Sequence, residues 1–484
     1  MKLQKHSMIR LVQKTLLFIS LPALLLSTLA PFGAARAQSA PEPRREQLLN
    51  GLKIFLLHRP GDAQVFVRLR IHSGAAFDLA GKEGLMALLG DALFPDPATR
   101  QYVTEELGGR LEVTTDYDRI DVTLTGRAQE FERIVELLRS ALVNTQLLPE
   151  VVGRLREARL KAVRDVSIAP STVADRAISK RLFGEHPYGR IVEGSTESLA
   201  RVERPDLILV RERFLNPNNA SLVAIGGVEP SRATRALRQF LGVWRRSDAE
   251  VPSTFRLPEP PDARPLIVDF AGMPDAEVRL AVRGLARKDR DAAAARLLAI
   301  VARERWLKSF PELKGRAFFA EHHAYSLPGV FRMGASVPSN LAAQALQTGR
   351  AALQSLSTTQ ASAEELEVAR REVLATLGKN SETPEALSDL WLNQVSYGLN
   401  ASDEMRLIGA LTPSDVQRVA AKILRSATIA SVAIGDATQL RAELARAGEV
   451  EVLGASLPAP TPTQTPTAKP SATPAPITIP VRRP

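Results

Sequence analysis

Apolar and polar residues alternate over Leu52–Leu57 and again over Gln64–Ile71. That period of two is the signature of strands laid on a core. The same pattern returns in the second half, over Pro265–Phe270 and Glu277–Val282. Each pair is followed by a run with helical spacing, Gly84–Phe94 in the first half and Ala292–Lys308 in the second. Further along, Leu111–Thr115 and Arg119–Thr125 predict a hairpin, followed by helices over Glu130–Asn144, Val151–Val166 and Val173–Phe183. Their counterparts are a strand over Val330–Val337 and helices over Ala342–Ser357, Ala363–Leu377 and Glu385–Tyr397.

The halves also close alike. A helical stretch from Asp206 leads into the apolar strand Ala220–Gly226, and one from Ser414 leads into Ala430–Gly435. Another helix follows each time, over Pro230–Leu241 and Thr438–Ala447. Ala224 and Ala433 are 209 residues apart, so the repeat is the size of a domain and not of a solenoid unit. The expected fold class is α+β, with two homologous domains, each an antiparallel sheet with helices packed on one face. Their boundaries are read as 38–250 and 266–455, with a Pro-rich linker at 251–265. A Pro/Thr-rich tail at 456–484 has the composition of a segment that cannot bury a core.

Composition narrows the function. The formal net charge of +10 looks like a nucleic-acid signal. Eight of those positive charges lie in the two termini: Lys2, Lys5, Lys14, Arg10 and Arg36 at the start, Lys469, Arg482 and Arg483 at the end. The body keeps about +2, too little for an electrostatic footprint on nucleic acid. Residues 1–37 read as a secretory signal: a basic start, the apolar run Leu16–Ala30 and a small-residue site at Ala35-Arg36-Ala37. The expectation is an exported chain, periplasmic or extracellular, with no transmembrane span after cleavage. Cysteine is absent, which excludes thiolate metal sites and cysteine nucleophiles.

Several short motifs recur in a telling order. They are Asn50-Gly-Leu-Lys-Ile-Phe-Leu, Gly81-Lys-Glu-Gly-Leu, Leu93-Phe94, Glu106-Leu-Gly-Gly, His186-Pro-Tyr-Gly, Gly194-Ser-Thr-Glu-Ser-Leu and Phe214-Leu-Asn-Pro-Asn-Asn. Together they resemble the pitrilysin/insulinase metallopeptidases over roughly Asn50 to Ala447. In that family an inverted His-x-x-Glu-His motif on the helix after the second strand grips zinc, and the Glu activates water. The resemblance places Ala87 at the first His, Gly90 at the Glu and Asp91 at the second His. The later Glu-x6-Glu pattern falls on Glu157 and Arg164. It further implies a salt bridge between Asp91 and Arg164 in the place of the ion.

The family's substrate-binding Arg and Tyr align with Pro311 and Phe318, although Arg316 and Tyr325 lie close by. The resemblance therefore implies a chain without zinc or another cofactor and without peptidase activity of its own. The first expectation is a helper subunit that pairs with a zinc-bearing homologue and completes its chamber for peptides. The alternative is a stand-alone pseudopeptidase that binds peptides or scaffolds an envelope assembly. An active enzyme with atypical ligands stands third. Among the histidines, His322 and His323 are neighbours on a strand and face opposite ways, so they do not chelate one ion. His58 and His72 are read as surface residues at strand ends, and His186 as part of a turn before Pro187.

Overall fold

The computed structural model describes residues 41–145, 147–165, 169–248, 255–379 and 383–453. The segments read as leader and tail, and part of the linker, lie outside the described residues.

The first half runs β1 (Arg44–Gln47), β2 (Lys53–His58), β3 (Gln64–Ile71), α1 (Leu85–Leu93), α2 (Pro97–Glu105), β4 (Leu111–Thr115), β5 (Ile120–Arg127), α3 (Phe131–Val143), α4 (Pro149–Asp165), α5 (Pro170–Phe183), α6 (Thr196–Ala200), α7 (Arg204–Phe214), β6 (Ala220–Gly226) and α8 (Pro230–Leu241). The second runs β7 (Leu266–Asp269), β8 (Asp275–Arg283), α9 (Ala292–Ser309), β9 (Phe318–His323), β10 (Val330–Pro338), α10 (Ala342–Thr358), α11 (Ala363–Lys379), α12 (Pro384–Tyr397), α13 (Ala401–Ala410), α14 (Pro413–Leu424), β11 (Ala430–Gly435), α15 (Ala437–Leu444) and β12 (Glu451–Leu453).

Each half builds one six-stranded sheet, in the orders β1-β2-β6-β3-β5-β4 and β12-β7-β11-β8-β10-β9. The α+β class and the domain repeat are as the sequence reads. The sheets, however, are mixed and not purely antiparallel. β2 pairs in parallel with β6, and β7 in parallel with both β11 and β12. The long chain between β2 and β6, and between β7 and β11, allows the crossover that a parallel pair needs.

Period-two patterning sorts each strand between two environments. On β3, Val65, Val67, Leu69 and Ile71 enter the core beneath that half's own helices. Phe66, Arg68 and Arg70 point the other way. Here the structure departs from helices on one face only, because a helix from the opposite half covers that second face. α12 of the second half lies on the first sheet: Arg70 bonds Asp389 and Asn393, and His72 bonds Ser396. In return, Ala174, Ile178 and Leu182 of α5 pack on Leu266, Val268, Ala430 and Val432 of the second sheet.

This exchange is pseudo-symmetric to the residue. Arg68 faces Val223 of β6, and Arg279 faces Val432 of β11; both valines begin a Val-Ala-Ile-Gly run. Arg68 pairs with Asp389 at 3.2 Å, and Arg279 with Asp175 at 2.7 Å. Each of those acids stands five residues after the proline that opens its helix, Pro384 or Pro170. Proline fits that first turn because its missing N–H has no partner there in any helix. Thr383 caps α12 by accepting from the Ala386 N–H.

Candidate functional site

The helix that would carry the zinc motif is α1. Its entry is tightly fixed. The buried Asp78 carboxylate accepts from the N–H groups of Gly84 (2.8 Å) and Met86 (2.7 Å). Burial pushes this carboxyl up to about 7, against the pull of those two donors. Gly84 has φ of +89°, and a Cβ there would sit 2.8 Å from Glu193 O and 2.9 Å from Gly194 Cα. Only glycine allows that approach, so the Gly-rich motifs around 84 and 194 hold α1 against the Gly194 turn.

On α1, Ala87 and Gly90 are buried and Asp91 is partly exposed. At Gly90 an added Cβ would meet Thr115 Oγ1 at 3.2 Å and Val113 Cγ1 at 3.3 Å. The position aligned with the family's general base is therefore packed against β4, with little room for a longer side chain. Asp91 is held by Arg159 of α4: its Oδ2 lies 2.8 Å from Nε and 2.7 Å from Nη2. The same guanidinium donates to Ala87 O at 3.2 Å. Arg159 thus spans both positions aligned with the family's histidines.

Arg164, the partner expected for Asp91, is exposed, as is Glu157. Helix geometry explains the correction. Val152, Arg159 and Leu160 form the inward stripe of α4, and residues 157 and 159 point about 200° apart. The pattern Glu-x6-Glu marks a stripe that here faces solvent.

The donor set does not match what zinc requires. One carboxylate remains, it is already ion-paired, and the pairing cation would oppose a metal ion. Among the described residues no group of three or more His, Asp or Glu side chains converges on one point.

In the second half, Pro311 lies exposed in a short 3-10 turn and Phe318 packs half-buried against the core at the start of β9. Neither side chain offers a charge or hydroxyl to a substrate. Arg316, the neighbouring candidate, is spent on Asp275 at 3.4 Å. Tyr325 instead belongs to a junction that sequence reading missed.

That junction gathers four of the five tyrosines. Tyr117, Tyr188 and Tyr325 stack at centroid distances of 5.2, 5.2 and 4.5 Å. Asp118 lies among them, accepting from Tyr188 (3.1 Å), Tyr397 (3.2 Å) and the Ser326 N–H (2.7 Å). Burial drives its carboxyl above the ordinary range. Because Tyr397 sits on α12 and Ser326 follows β9, the cluster ties the turns of both halves together. A signal existed, in the tyrosine of His-Pro-Tyr-Gly, but nothing in its spacing says what it meets.

The histidines resolve cleanly. His322 is largely enclosed, its Nε2 accepting from the Leu285 N–H at 2.9 Å, while His323 is exposed and rests on Tyr325. His186 caps the turn at Pro187 by accepting from the Tyr188 N–H. His58 sits near the surface beside Glu229 at 3.2 Å. His72 is not a surface residue; it is enclosed between the halves, bonded to Ser221 (2.9 Å) and Ser396 (3.0 Å).

Two paired sheets that exchange a covering helix, with an altered motif helix in the first half, define a metallopeptidase-like two-domain architecture. A profile described as "Insulinase (Peptidase family M16)" matches residues 53–196, and one described as "Peptidase M16 inactive domain" matches residues 201–373. The chain belongs to the insulinase (M16) family. It is 25% identical over 218 residues to mouse "Cytochrome b-c1 complex subunit 1, mitochondrial", covering 43% of this chain and 45% of that protein. It is 23% identical over 209 residues to "Uncharacterized zinc protease Rv2782c" of Mycobacterium tuberculosis, covering 42% of this chain and 48% of that one. The chain thus spans about half the length of these curated relatives. Among solved structures, a protease from Helicobacter pylori superposes with a TM-score of 0.73 at 19% identity, over 82% of this chain and 100% of its own. An M16 inactive-domain structure from Pseudomonas fluorescens gives 0.71 at 18% identity, over 82% of this chain and 98% of its own. These structural likenesses establish the fold.

Proposed function

We propose that this protein is a non-catalytic member of its family, free of zinc, that works as a helper subunit beside a zinc-bearing homologue. The observation that carries this reading is the Arg159 guanidinium lodged between Asp91 and Ala87 O. Hydrolysis by the family's route needs a metal-bound water and a base, and these positions supply neither. What the fold keeps is surface. β4 and β9 each pair with a single neighbour, β5 and β10, and so leave a row of backbone groups at a sheet edge. An extended peptide adds to such an edge through main-chain hydrogen bonds and needs no catalytic residue. The leader-like first segment fits work outside the cytoplasm, in a periplasm or beyond the cell.

A second reading is a scaffold within a stable assembly. It draws on the likeness to a protein named as a subunit of the cytochrome b-c1 complex. Co-purification with a zinc-bearing homologue from the same host, followed by peptidase assay of each chain alone and of the mixture, separates the two. Activity of the homologue that rises on mixing supports the helper. A stable complex whose activity is unchanged supports the scaffold, and two chains that neither associate nor affect each other contradict both.

A further inference from the structure

The corner where β1 meets α8 carries two features that the family site does not use. The first is apolar and exposed. Leu49, in the turn after β1, is fully exposed, and Val243, just after α8, is 53% exposed. The two segments that carry them are tied together, because Asn50 Nδ2 donates to both Leu241 O (2.8 Å) and Trp244 O (3.0 Å). Neither aliphatic side chain serves the core, whereas their neighbours Leu48 and Trp244 are buried in it.

The second feature is charge. Residues 42–50 and 231–248 hold seven arginines, of which Arg232 is paired with Glu132, against three carboxylates, Glu42, Glu46 and Asp248. That local excess accounts for the whole net charge of the body, so the rest of the surface is close to neutral. Arg44, Arg235 and Arg238, with Ser231, Thr234 and Gln239, line an open depression of about 460 Å³. Glu46 is committed to Arg44 (2.7 Å) and Thr234 (2.9 Å), which leaves Arg235 and Arg238 at the rim. Arg245 and Arg246 are exposed next to Val243. Thr234 bonding Glu46, and Asn50 bonding Leu241, set α8 alongside β1. The basic stripe therefore leads along α8 toward the apolar tip.

We propose that this corner is a membrane-contact face, at which Leu49 and Val243 enter the interfacial layer while the arginines around α8 engage the phosphates of anionic phospholipids. Aliphatic insertion and arginine–phosphate contact reinforce each other at a bilayer surface, and neither requires a spanning helix. No helix among the described residues is long and apolar enough to cross a membrane. The charge asymmetry sets the orientation, since the near-neutral remainder of the body gains nothing from the same surface.

Cysteine is absent from the chain, so single labels read the geometry directly. A polarity-sensitive fluorophore is placed in the full chain by Leu49→Cys, by Val243→Cys and, as a control in the second half, by Leu407→Cys. All three are exposed positions. With phosphatidylglycerol vesicles, the probes at 49 and 243 are expected to shift to the blue and the probe at 407 to stay aqueous. Arg235→Glu with Arg238→Glu lowers the apparent affinity read by those shifts by at least about tenfold. Phosphatidylcholine vesicles give a weaker response. Probes at 49 and 243 that stay aqueous, a probe at 407 that responds equally, or shifts indifferent to the charge reversal would each overturn the proposal.

Discussion

Arg159 Nη2 lies 2.7 Å from Asp91 Oδ2 and 3.2 Å from Ala87 O, so one guanidinium occupies the space between the two positions where the family places its histidines. The pair is partly buried, with Arg159 17% and Asp91 35% exposed. It therefore counts for more than a surface ion pair but less than a sealed one. Arg159→Ala is expected to cost about 1–2 kcal/mol, partly through the lost bond to Ala87 O. A double-mutant cycle with Asp91→Ala, read by urea unfolding, should give a coupling of about 1 kcal/mol. Additivity would mean that the pair is incidental.

Rebuilding the motif tests whether the site is merely substituted or is repacked. The triple change Ala87→His, Gly90→Glu and Asp91→His supplies the ligand types on one helix. It also pushes a side chain into the wall formed by Thr115 and Val113, at a cost of about 1–3 kcal/mol. Zinc affinity, measured by competition with a chromophoric chelator, should stay weak while Arg159 remains. It should strengthen when Arg159→Gln is added. Tight zinc binding by the triple variant alone would show that Arg159 does not guard the site.

Much of this architecture could be read from the chain. Long apolar segments such as Ala292–Ser309 and the twin strands before Gly226 and Gly435 declare themselves through burial alone, because they are enclosed on nearly every side and so read as continuous apolar runs. The domain repeat followed from them. The parallel pairings did not, since register across more than 150 residues leaves no local trace. Short elements such as α2 and β12 also went unread. For the site, motif alignment placed Ala87, Gly90 and Asp91 on the right helix, but it chose Arg164 over Arg159. A linear pattern fixes positions along a helix and not which stripe faces inward; that depends on packing. His72 and the tyrosine junction were missed for the same reason, as their partners come from the opposite half.

The interface between the halves is polar on one side, and Arg70 is its center. Its side chain is fully buried and contacts Asp121 at 2.7 Å and Asp389 at 2.7 Å. Replacing it by Ala removes the main cation of Asp121, which keeps only Arg119 at 3.2 Å, and the expected loss is about 3 kcal/mol. Burial alone would raise the Asp121 carboxyl, yet Arg70, with Arg119 and Arg68, outweighs it and holds the group below its ordinary value. The sign follows: this stabilisation is present above the unfolded carboxyl value and is lost as pH falls through the lower folded value. Acid unfolding of Arg70→Ala should therefore lack most of that component. An acid profile identical to the parent's would contradict it.

Three enclosed histidines make a separate prediction. Burial, with Arg70 nearby, lowers His72 to about 3; burial and Arg296 lower His322 to about 3; burial and Arg190 lower His186 to about 4. All three stay neutral in the folded chain while the unfolded chain takes up protons below about pH 6.5. Their contribution is complete above that pH and declines below it, by up to about 1.4 kcal/mol per pH unit for each histidine. Asp118 and Asp78, both raised by burial, oppose this trend. Unfolding free energy measured between pH 7.5 and pH 5 should fall with acid, and His72→Gln should flatten the slope. A slope unchanged in that variant would mean that His72 is solvated.

The most direct test of the account is metal content measured together with peptidase activity on the purified full chain, after dialysis against micromolar zinc. The account predicts well below one equivalent of bound zinc and no cleavage of unfolded peptide substrates. One equivalent of zinc, with cleavage abolished by a chelator and restored by the metal, would contradict it.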